Sequence, residues 1–251
     1  MAGAIWALPV GSAVAVGLVV VLGGLVRGFG GFGASMVWVA GMSLFVAPAA
    51  VVPTVLILEV LASAQLLPGV WRQVHWQSLR WLLVGVLAGL PFGMWALVSV
   101  PDRPLRLAIA VAVGLAAVLM ATGAGRPALP GPSGTVAVGS VSGVLNGAFA
   151  MGGPPAILMY FSSPQQAAVG RASLIAFFLC TDVLGIAAAS VAGLVDRSVV
   201  AQSLALWPVA LITVAAGAVL QRRTDDATLR RVVLWLLVPL ACLLAVDAWL
   251  S

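Results

Sequence analysis

The chain has 251 residues, of which 63% are hydrophobic and 8% are charged, and its formal net charge is +5. This composition excludes a soluble globular domain and predicts an integral membrane protein. Lysine is absent and the arginines are scattered through short loops, so the basic balance reflects membrane topology rather than a nucleic-acid partner. Cys180 and Cys242 lie in apolar stretches without a CxxC spacing, so neither a disulfide framework nor a metal site is expected.

Long apolar stretches predict helices that cross the bilayer, because a crossing needs roughly 20 apolar residues. The first stretch lacks a basic leading region, so we interpret it as mature structure rather than a signal peptide. The stretches are Leu8–Val26, Ala50–Gly69, Leu79–Val100, Leu105–Ala121, Ala172–Leu194, Val199–Leu220 and Leu229–Leu250.

Two of the apolar segments are interrupted by the same glycine cluster. Backbone that leaves a helix at membrane depth frees polar groups, which protein or a wet cavity must satisfy. Matched breaks in two halves of a membrane protein therefore predict the binding site of a transporter. The shared spacing, 119 positions apart, lies at Gly24, Gly28 and Gly33 and again at Gly143, Gly147 and Gly152.

A second matching register supports an internal duplication. The segment 102–106 resembles 226–230 at a spacing of 124, and Gly93 and Gly217 share that spacing. The sequence predicts an all-α polytopic membrane protein with a first repeat at 1–123, a Pro/Gly-rich connection at 124–134 and a second repeat at 135–251. Each repeat would contain a glycine-broken re-entrant helical hairpin followed by three transmembrane helices.

The orientation of the repeats follows from the arginines, which concentrate on the cytoplasmic face. Inverted repeats divide the loop arginines 8 to 3 between the faces, whereas parallel repeats divide them 7 to 4. We therefore favour inversion and leave the parallel arrangement as the alternative. Under inversion the loop from Arg72 to Arg80, with its tryptophans, is cytoplasmic.

The segment Gly152-Gly153-Pro154-Pro155-Ala-Ile-Leu-Met-Tyr160 resembles the second-half signature of the sulfite exporter TauE/SafE family of membrane transporters. With the duplicated break after the first helix of each half, the resemblance covers nearly the whole chain. The first copy, Gly30-Gly31-Phe32-Gly33, departs from the family pattern because a phenylalanine interrupts it and no proline follows soon after.

The resemblance implies a secondary transporter that moves sulfite, a sulfonate such as sulfoacetate, or a related organic anion. Transport would cross the bacterial inner membrane by alternating access and without a bound cofactor. The implied partners are the small anion and the lipid bilayer, and a homo-oligomer is compatible with the sequence. An anion channel with a glycine-loop filter is the alternative.

An anionic substrate also fits the physics of the breaks. A helix that starts after each break directs free N–H groups and its positive dipole end into the gap. Arg27 and its counterpart Asn146 could bind oxyanion oxygens, although Arg27 could instead reach an interface. The predicted substrate-binding residues are Arg27, Gly28, Gly30, Gly31, Gly33, Ser35, Asn146, Gly147, Gly152, Gly153 and Pro154.

The alternative for any glycine is close helix packing, which we accept for five glycines outside the breaks. These five are Gly85, Gly89, Gly114, Gly139 and Gly217.

Glu59 and Asp182 are the acids deep within apolar stretches, and intramembrane carboxyls are functional candidates. We expect them to couple transport to protons. The alternatives are a protonated acid that bonds between helices and an ion pair with Arg27. No arrangement for catalysis is evident: the single histidine, His75, lies between Trp71 and Trp76, where an interfacial role is expected.

Overall fold

The computed structural model describes residues 9–122, 130–160, 167–221 and 226–250, and these residues form helices joined by short turns. The helices in chain order are α1 (Val10–Gly30), α2 (Ala34–Met42), α3 (Pro48–Leu66), α4 (Trp76–Ser99), α5 (Asp102–Thr122), α6 (Pro132–Phe149), α7 (Gly153–Tyr160), α8 (Ala167–Val191), α9 (Arg197–Gln221) and α10 (Asp226–Leu250). Two short 3₁₀ turns, Leu67–Gly69 and Trp71–Gln73, connect α3 to α4.

The fold is that of a polytopic membrane protein. Within the described residues, five helices are long and apolar enough to cross a bilayer, namely α1, α3, α4, α8 and α9. The bundle exposes large apolar side chains that a soluble protein would bury, as lipid-facing residues do. Examples are Phe92, Trp95, Ile212, Trp235 and Trp249. The crossings predicted for the segments of α5 and α10 stay predictions.

The first break is a tight turn between two antiparallel helices. Gly31, the cap residue that follows α1, has φ 76°, and its N–H donates to the carbonyl of Arg27 at 2.7 Å. Gly33 precedes α2 with φ 90°. Both conformations lie in the left-handed region, where a side chain would be strained and glycine is not. The glycines therefore allow the chain to reverse within three residues.

After this turn, α2 runs back along α1. The indole Nε1–H of Trp38 donates to the carbonyl of Val20 at 3.1 Å, and Gly41 lies against Val19. Every residue of α2 is buried. The α1–α2 pair is therefore a helical hairpin whose second arm is enclosed by protein.

The second break uses a different residue for its reversal. Ala150, rather than a glycine, adopts the left-handed conformation after α6, with φ 51°. Its N–H donates to the carbonyl of Asn146 at 2.8 Å, and the N–H of Met151 donates to the carbonyl of Leu145 at 3.2 Å. Of the paired glycines, Gly152 precedes α7 and Gly153 is its first residue. Alanine tolerates this conformation less readily than glycine, so the two bonds offset a strain of about 1 kcal/mol.

Glycines bring two pairs of helices into backbone contact. A Cβ built at Gly89 of α4 would lie 2.0 Å from the carbonyl oxygen of Ser140 on α6, and Gly139 makes the reverse contact with Leu82. The same packing joins α1 to α9 at Gly217. Packing is thus found for four of the five glycines assigned to it. A Cβ at Gly114 would meet no described residue within 4 Å, so the assignment of Gly114 to packing was wrong for the part of the chain that the structure describes.

The remaining contacts place α3 and α8 against each other in the interior. α3 also packs against α9, and α8 against α4. The predicted connection at 124–134 overlaps the structure at its end, because α6 begins at Pro132; residues 123–129 lie outside the described residues.

Candidate functional site

Arg27 lies in the last turn of α1 with no exposed surface. Its Nη2 is 3.0 Å from Oε2 of Glu59 on α3 and also donates to the hydroxyl of Ser63. The guanidinium carbon stands 4.5 Å from the centre of the Phe178 ring on α8, which places the cation over the aromatic face. Because the side chain is completely buried, Arg27 contacts protein on all sides, and its role in anion binding stays a prediction.

Glu59 is as enclosed as its partner, with 1% of its surface exposed. The backbone of Ser35, at the amino end of α2, also lies beside the carboxylate, although it forms no hydrogen bond of standard geometry with it. The amino end of a helix carries a partial positive charge. Glu59 therefore lies between the two positive features of the first break, which are the guanidinium and the start of α2.

Asp182 brings a second carboxylate to the same region from α8, and 1% of its surface is exposed. It is near enough to Glu59 and Arg27 to interact with both charges. The Asn146 amide lies beside it, but its Nδ2–H is directed to the carbonyl of Thr181 at 3.1 Å. Neither oxygen of Asp182 accepts a hydrogen bond from a described residue.

The three charged side chains leave much of their hydrogen-bonding capacity unused. Within the described residues, Nε and Nη1 of Arg27 have no hydrogen-bond partner. The carboxylate oxygens of Glu59 and Asp182 accept no hydrogen bond of standard geometry either, although Oε2 of Glu59 is within ion-pair distance of Arg27. Buried polar atoms in native proteins are almost always bonded, so such atoms mark a place where water, an ion or a ligand binds. Polar groups from α1, α3 and α8 thus converge on an incompletely satisfied site.

At the second break, Asn146 is fully buried and already engaged. Its Oδ1 accepts the N–H of Gly152 at 3.4 Å. Gly153 begins α7 against the edge of Phe178, since a Cβ there would lie 3.0 Å from that ring. The Phe178 ring therefore contacts both breaks, with Arg27 over its face and Gly153 near its edge.

The other predicted binding residues have varied surroundings. Ser35 is buried in the first turn of α2, Gly30 is the buried last residue of α1, and Pro154 is half-buried in the first turn of α7. Gly28 packs on α9 and Gly147 on α4, where added Cβ atoms would approach backbone atoms to 1.9 Å and 2.6 Å. These two contacts give a packing reason for glycine, and a role in anion binding stays a prediction.

Sequence reasoning missed two residues of this region, Phe178 and Arg171. Arg171 donates from Nη2 to the carbonyl of Gly28 at 3.1 Å and from Nη1 to Gln221 at 3.0 Å. It also lies against Gly31, so it supports the end of α1 at the first break. In the sequence it flanks an apolar stretch and resembles a loop arginine. No local signal distinguishes it.

The far end of α7 is fastened to the start of α4. The Tyr160 hydroxyl lies 2.8 Å from Oγ of Ser78, which in turn lies 2.8 Å from Nδ1 of His75. The N–H of His75 donates to Ser173 on α8 at 2.9 Å. His75 also caps α4 by accepting the Ser78 N–H. The single histidine thus has a structural role at the helix end.

Known protein families and curated proteins include relatives of this chain. Residues 16–244 match the family described as Sulfite exporter TauE/SafE. The chain is 29% identical over 231 residues to the "Probable sulfite/organosulfonate exporter TauE" of Cupriavidus necator. The aligned region covers 87% of this chain and 89% of that protein. No solved structure matches the chain. With its apolar helices, the family match makes this a multi-pass bacterial membrane protein, and the chain belongs to the sulfite exporter TauE/SafE family.

Proposed function

We propose that the protein is a secondary transporter that moves sulfite, an organosulfonate such as sulfoacetate, or a related organic anion across the bacterial inner membrane by alternating access. The observation that carries the proposal is Arg27, a fully buried guanidinium beside a helix break, two of whose nitrogens have no partner among the described residues. An arginine can bind two oxygens of a sulfite or sulfonate group through parallel charge-assisted hydrogen bonds. The family and its curated relative support the same class of substrate.

We further propose that the fold consists of two inverted repeats, α1–α5 and α6–α10. The contacts support this: α1 packs on α9 of the other half, and α6 packs on α4. The same glycines meet in both contacts, with Gly28 beside Gly217 and Gly147 beside Gly93. An interface exchanged in this way is expected when two equivalent halves are related by a two-fold axis.

The orientation can be tested with single cysteines labelled from each side of the membrane. Labels near Asp102, Asp196 and Arg72 are sufficient. Inverted repeats place the Asp196 label on the same side as the Asp102 label, whereas parallel repeats place it with Arg72.

Glu59 and Asp182 are the proposed proton-coupling groups. Ionisable residues within a membrane bundle pair with one another and mark proton or substrate pathways. The pairing of Glu59 with Arg27, and the closeness of Asp182 to both, support this assignment.

The proposed function is tested with protein reconstituted in liposomes. Sulfite, thiosulfate, sulfoacetate and simple carboxylates are compared as substrates, and we expect saturable counterflow of at least one sulfur oxyanion. Arg27→Lys should weaken transport strongly, because an ammonium group cannot form the two-point contact. Arg106→Lys, at a peripheral ion pair with Asp247, is the matched control and should transport normally.

Binding is checked independently by thermal stabilisation in detergent, since a ligand at 100 times its Kd stabilises the folded state by about 2.7 kcal/mol. Unchanged affinity in Arg27→Lys and Arg27→Ala would remove Arg27 from the site. Single-channel conductance without counterflow would replace the carrier by an anion channel.

A further inference from the structure

The carboxylate of Glu59 occupies the place that an anionic substrate requires. It lies 3.0 Å from Nη2 of Arg27 and beside the Ser35 backbone at the amino end of α2, and all three residues are buried. These are the positive features that the first break offers to an anion. In the state described here, a group of the protein itself already uses them.

Three charged side chains determine the net charge of this site. Arg27 on α1, Glu59 on α3 and Asp182 on α8 interact with one another, and within the described residues no other charged group acts on the two carboxyls. With both carboxylates ionised the group has a net charge of −1, and each added proton raises it by one. A second anion cannot approach Arg27 while Glu59 is ionised, because two negative charges would then share one cation in a buried site.

We propose that Glu59 is an internal competitor of the substrate, so that the anion binds to Arg27 only when a proton binds to Glu59. This inference rests on the proposed transport function. A proton from water adds to the Glu59 carboxylate, the ion pair with Arg27 opens, and the freed guanidinium binds an oxygen of the substrate. On release, the anion leaves Arg27, the proton returns to water, and the Glu59–Arg27 pair closes again.

The exchange of Glu59 for the substrate at Arg27 couples anion binding to proton binding, because it keeps the charge of the site balanced. The empty site holds Arg27 paired with ionised Glu59, and the loaded site holds Arg27 paired with the substrate beside neutral Glu59. In both, the guanidinium is compensated by one anion. The half-loaded states leave an unpaired cation or an extra anion in the bundle, and buried unpaired charge is costly. The carrier can therefore reorient when empty or when it carries both proton and anion, and a monovalent anion moves with one proton in the same direction.

Asp182 has a different part in this scheme. Its oxygens accept no hydrogen bond from the described residues, and its distance to Arg27 is not that of an ion pair in this state. A buried carboxyl without such partners is more stable in its neutral form. While Asp182 is neutral, the single positive charge of Arg27 is left to Glu59 or the substrate.

The experiment measures proton uptake on binding. Isethionate is a suitable probe because its sulfonate stays ionised at every pH used and it has no second acidic group in that range. The wild-type protein in detergent is titrated calorimetrically at one pH in buffers of different ionisation enthalpy. We expect about one proton to be taken up per anion at a pH where free Glu59 is ionised, and affinity to fall about tenfold per pH unit there.

Glu59→Gln supplies the decisive variant, and Asp247→Asn, at the carboxyl of the peripheral pair with Arg106, is its matched control. The glutamine variant should bind isethionate without proton uptake, and its affinity at pH 8 should at least equal that of the wild type at low pH. The asparagine variant should keep the proton uptake. Weaker binding of Glu59→Gln at every pH, or proton uptake that survives in it, would overturn the inference.

The measurement of proton uptake in the wild-type protein tests the competition between Glu59 and the substrate even when a variant fails to fold. Binding of isethionate, sulfite or sulfoacetate without proton uptake refutes the competition but leaves the proposed function standing. Failure of the wild type to bind any of the three at any pH refutes the proposed function, and the competition falls with it.

Discussion

Gly89 in α4 holds the interface between α4 and α6 to its present spacing. A methyl carbon at this position would lie 2.0 Å from the carbonyl oxygen of Ser140 and 3.0 Å from the backbone nitrogen of Val144. Carbon and carbonyl oxygen normally approach no closer than about 3.3 Å. Because both obstacles are backbone atoms, no side chain can rotate away. We predict that Gly89→Ala forces α4 and α6 apart by about 1 Å or more.

The loss of stability expected for Gly89→Ala follows from the neighbouring contacts along the same face of α4. Gly85 and Gly93 make backbone contacts of the same kind, with Cβ positions 2.1 Å from the carbonyl oxygens of Val136 and Val144. A gap of 0.5–1 Å forfeits about a quarter to a half of each dispersion contact. Overpacking of this type costs about 1–3 kcal/mol and occasionally more. We expect about 3 kcal/mol for Gly89→Ala.

Gly114→Ala in α5 is the matched control, because a Cβ there meets no atom of the described residues within 4 Å. It should be neutral or should stabilise the helix by up to about 1 kcal/mol through propensity. Thermal melting in one detergent measures both variants. For a chain of this size, about 1 kcal/mol shifts Tm by about 2–4 °C, so Gly89→Ala should melt some 6–12 °C below the wild type. A Gly89→Ala protein that melts with the control would refute the steric reasoning.

Further predictions concern the polar pairs. Arg27→Met should lower the free energy of unfolding by about 3–5 kcal/mol, because it leaves the Glu59 carboxylate buried and unpaired, and adding Glu59→Gln should restore most of that loss. A double-mutant cycle in chemical denaturation measures the coupling between the two residues, and additive losses would contradict the prediction. Asp247→Asn at the partly exposed pair with Arg106, 2.7 Å apart, should cost under about 1 kcal/mol, measured by melting at low and high salt; a larger, salt-insensitive loss would be inconsistent with a surface pair. Tyr160→Phe should cost about 1–2 kcal/mol on denaturation, since it removes a buried hydrogen bond, and no change would show that the hydroxyl contributes nothing.

Features that depend on a short stretch of residues could be predicted from the sequence. A glycine pair inside an apolar stretch predicts a place where the helix ends, and the first break has left-handed glycines at 31 and 33. Arg27 and Glu59 were singled out because a charge in an apolar stretch is costly anywhere in a bilayer. That cost does not depend on the fold. It could be inferred without knowing which helices meet.

What the sequence could not provide depends on which helices meet. Phe178 is one phenylalanine among many apolar residues, and its position between Arg27 and Gly153 exists only after α8 packs against the first break. Arg171 was predicted as a loop residue because its apolar stretch begins one residue later, yet α8 starts before it. The reversal at Ala150 also lacked a signal, since alanine rarely adopts that conformation and two backbone bonds sustain it there.

Stability alone gives no reason for the Arg27–Glu59 pair. Two buried charges must be desolvated, and well-packed apolar residues of the same volume would often be equally stable or more so. The second half of the chain shows that the break itself does not need a cation, because Asn146 satisfies the N–H of Gly152 with a neutral amide. The cation is therefore an addition specific to the first break, and its pairing with Glu59 leaves two of its nitrogens without a partner in the part of the chain that the structure describes. A guanidinium that is held by one carboxylate and still has free donors can exchange that carboxylate for another anion at little cost in charge, which is the property that a carrier of small oxyanions requires.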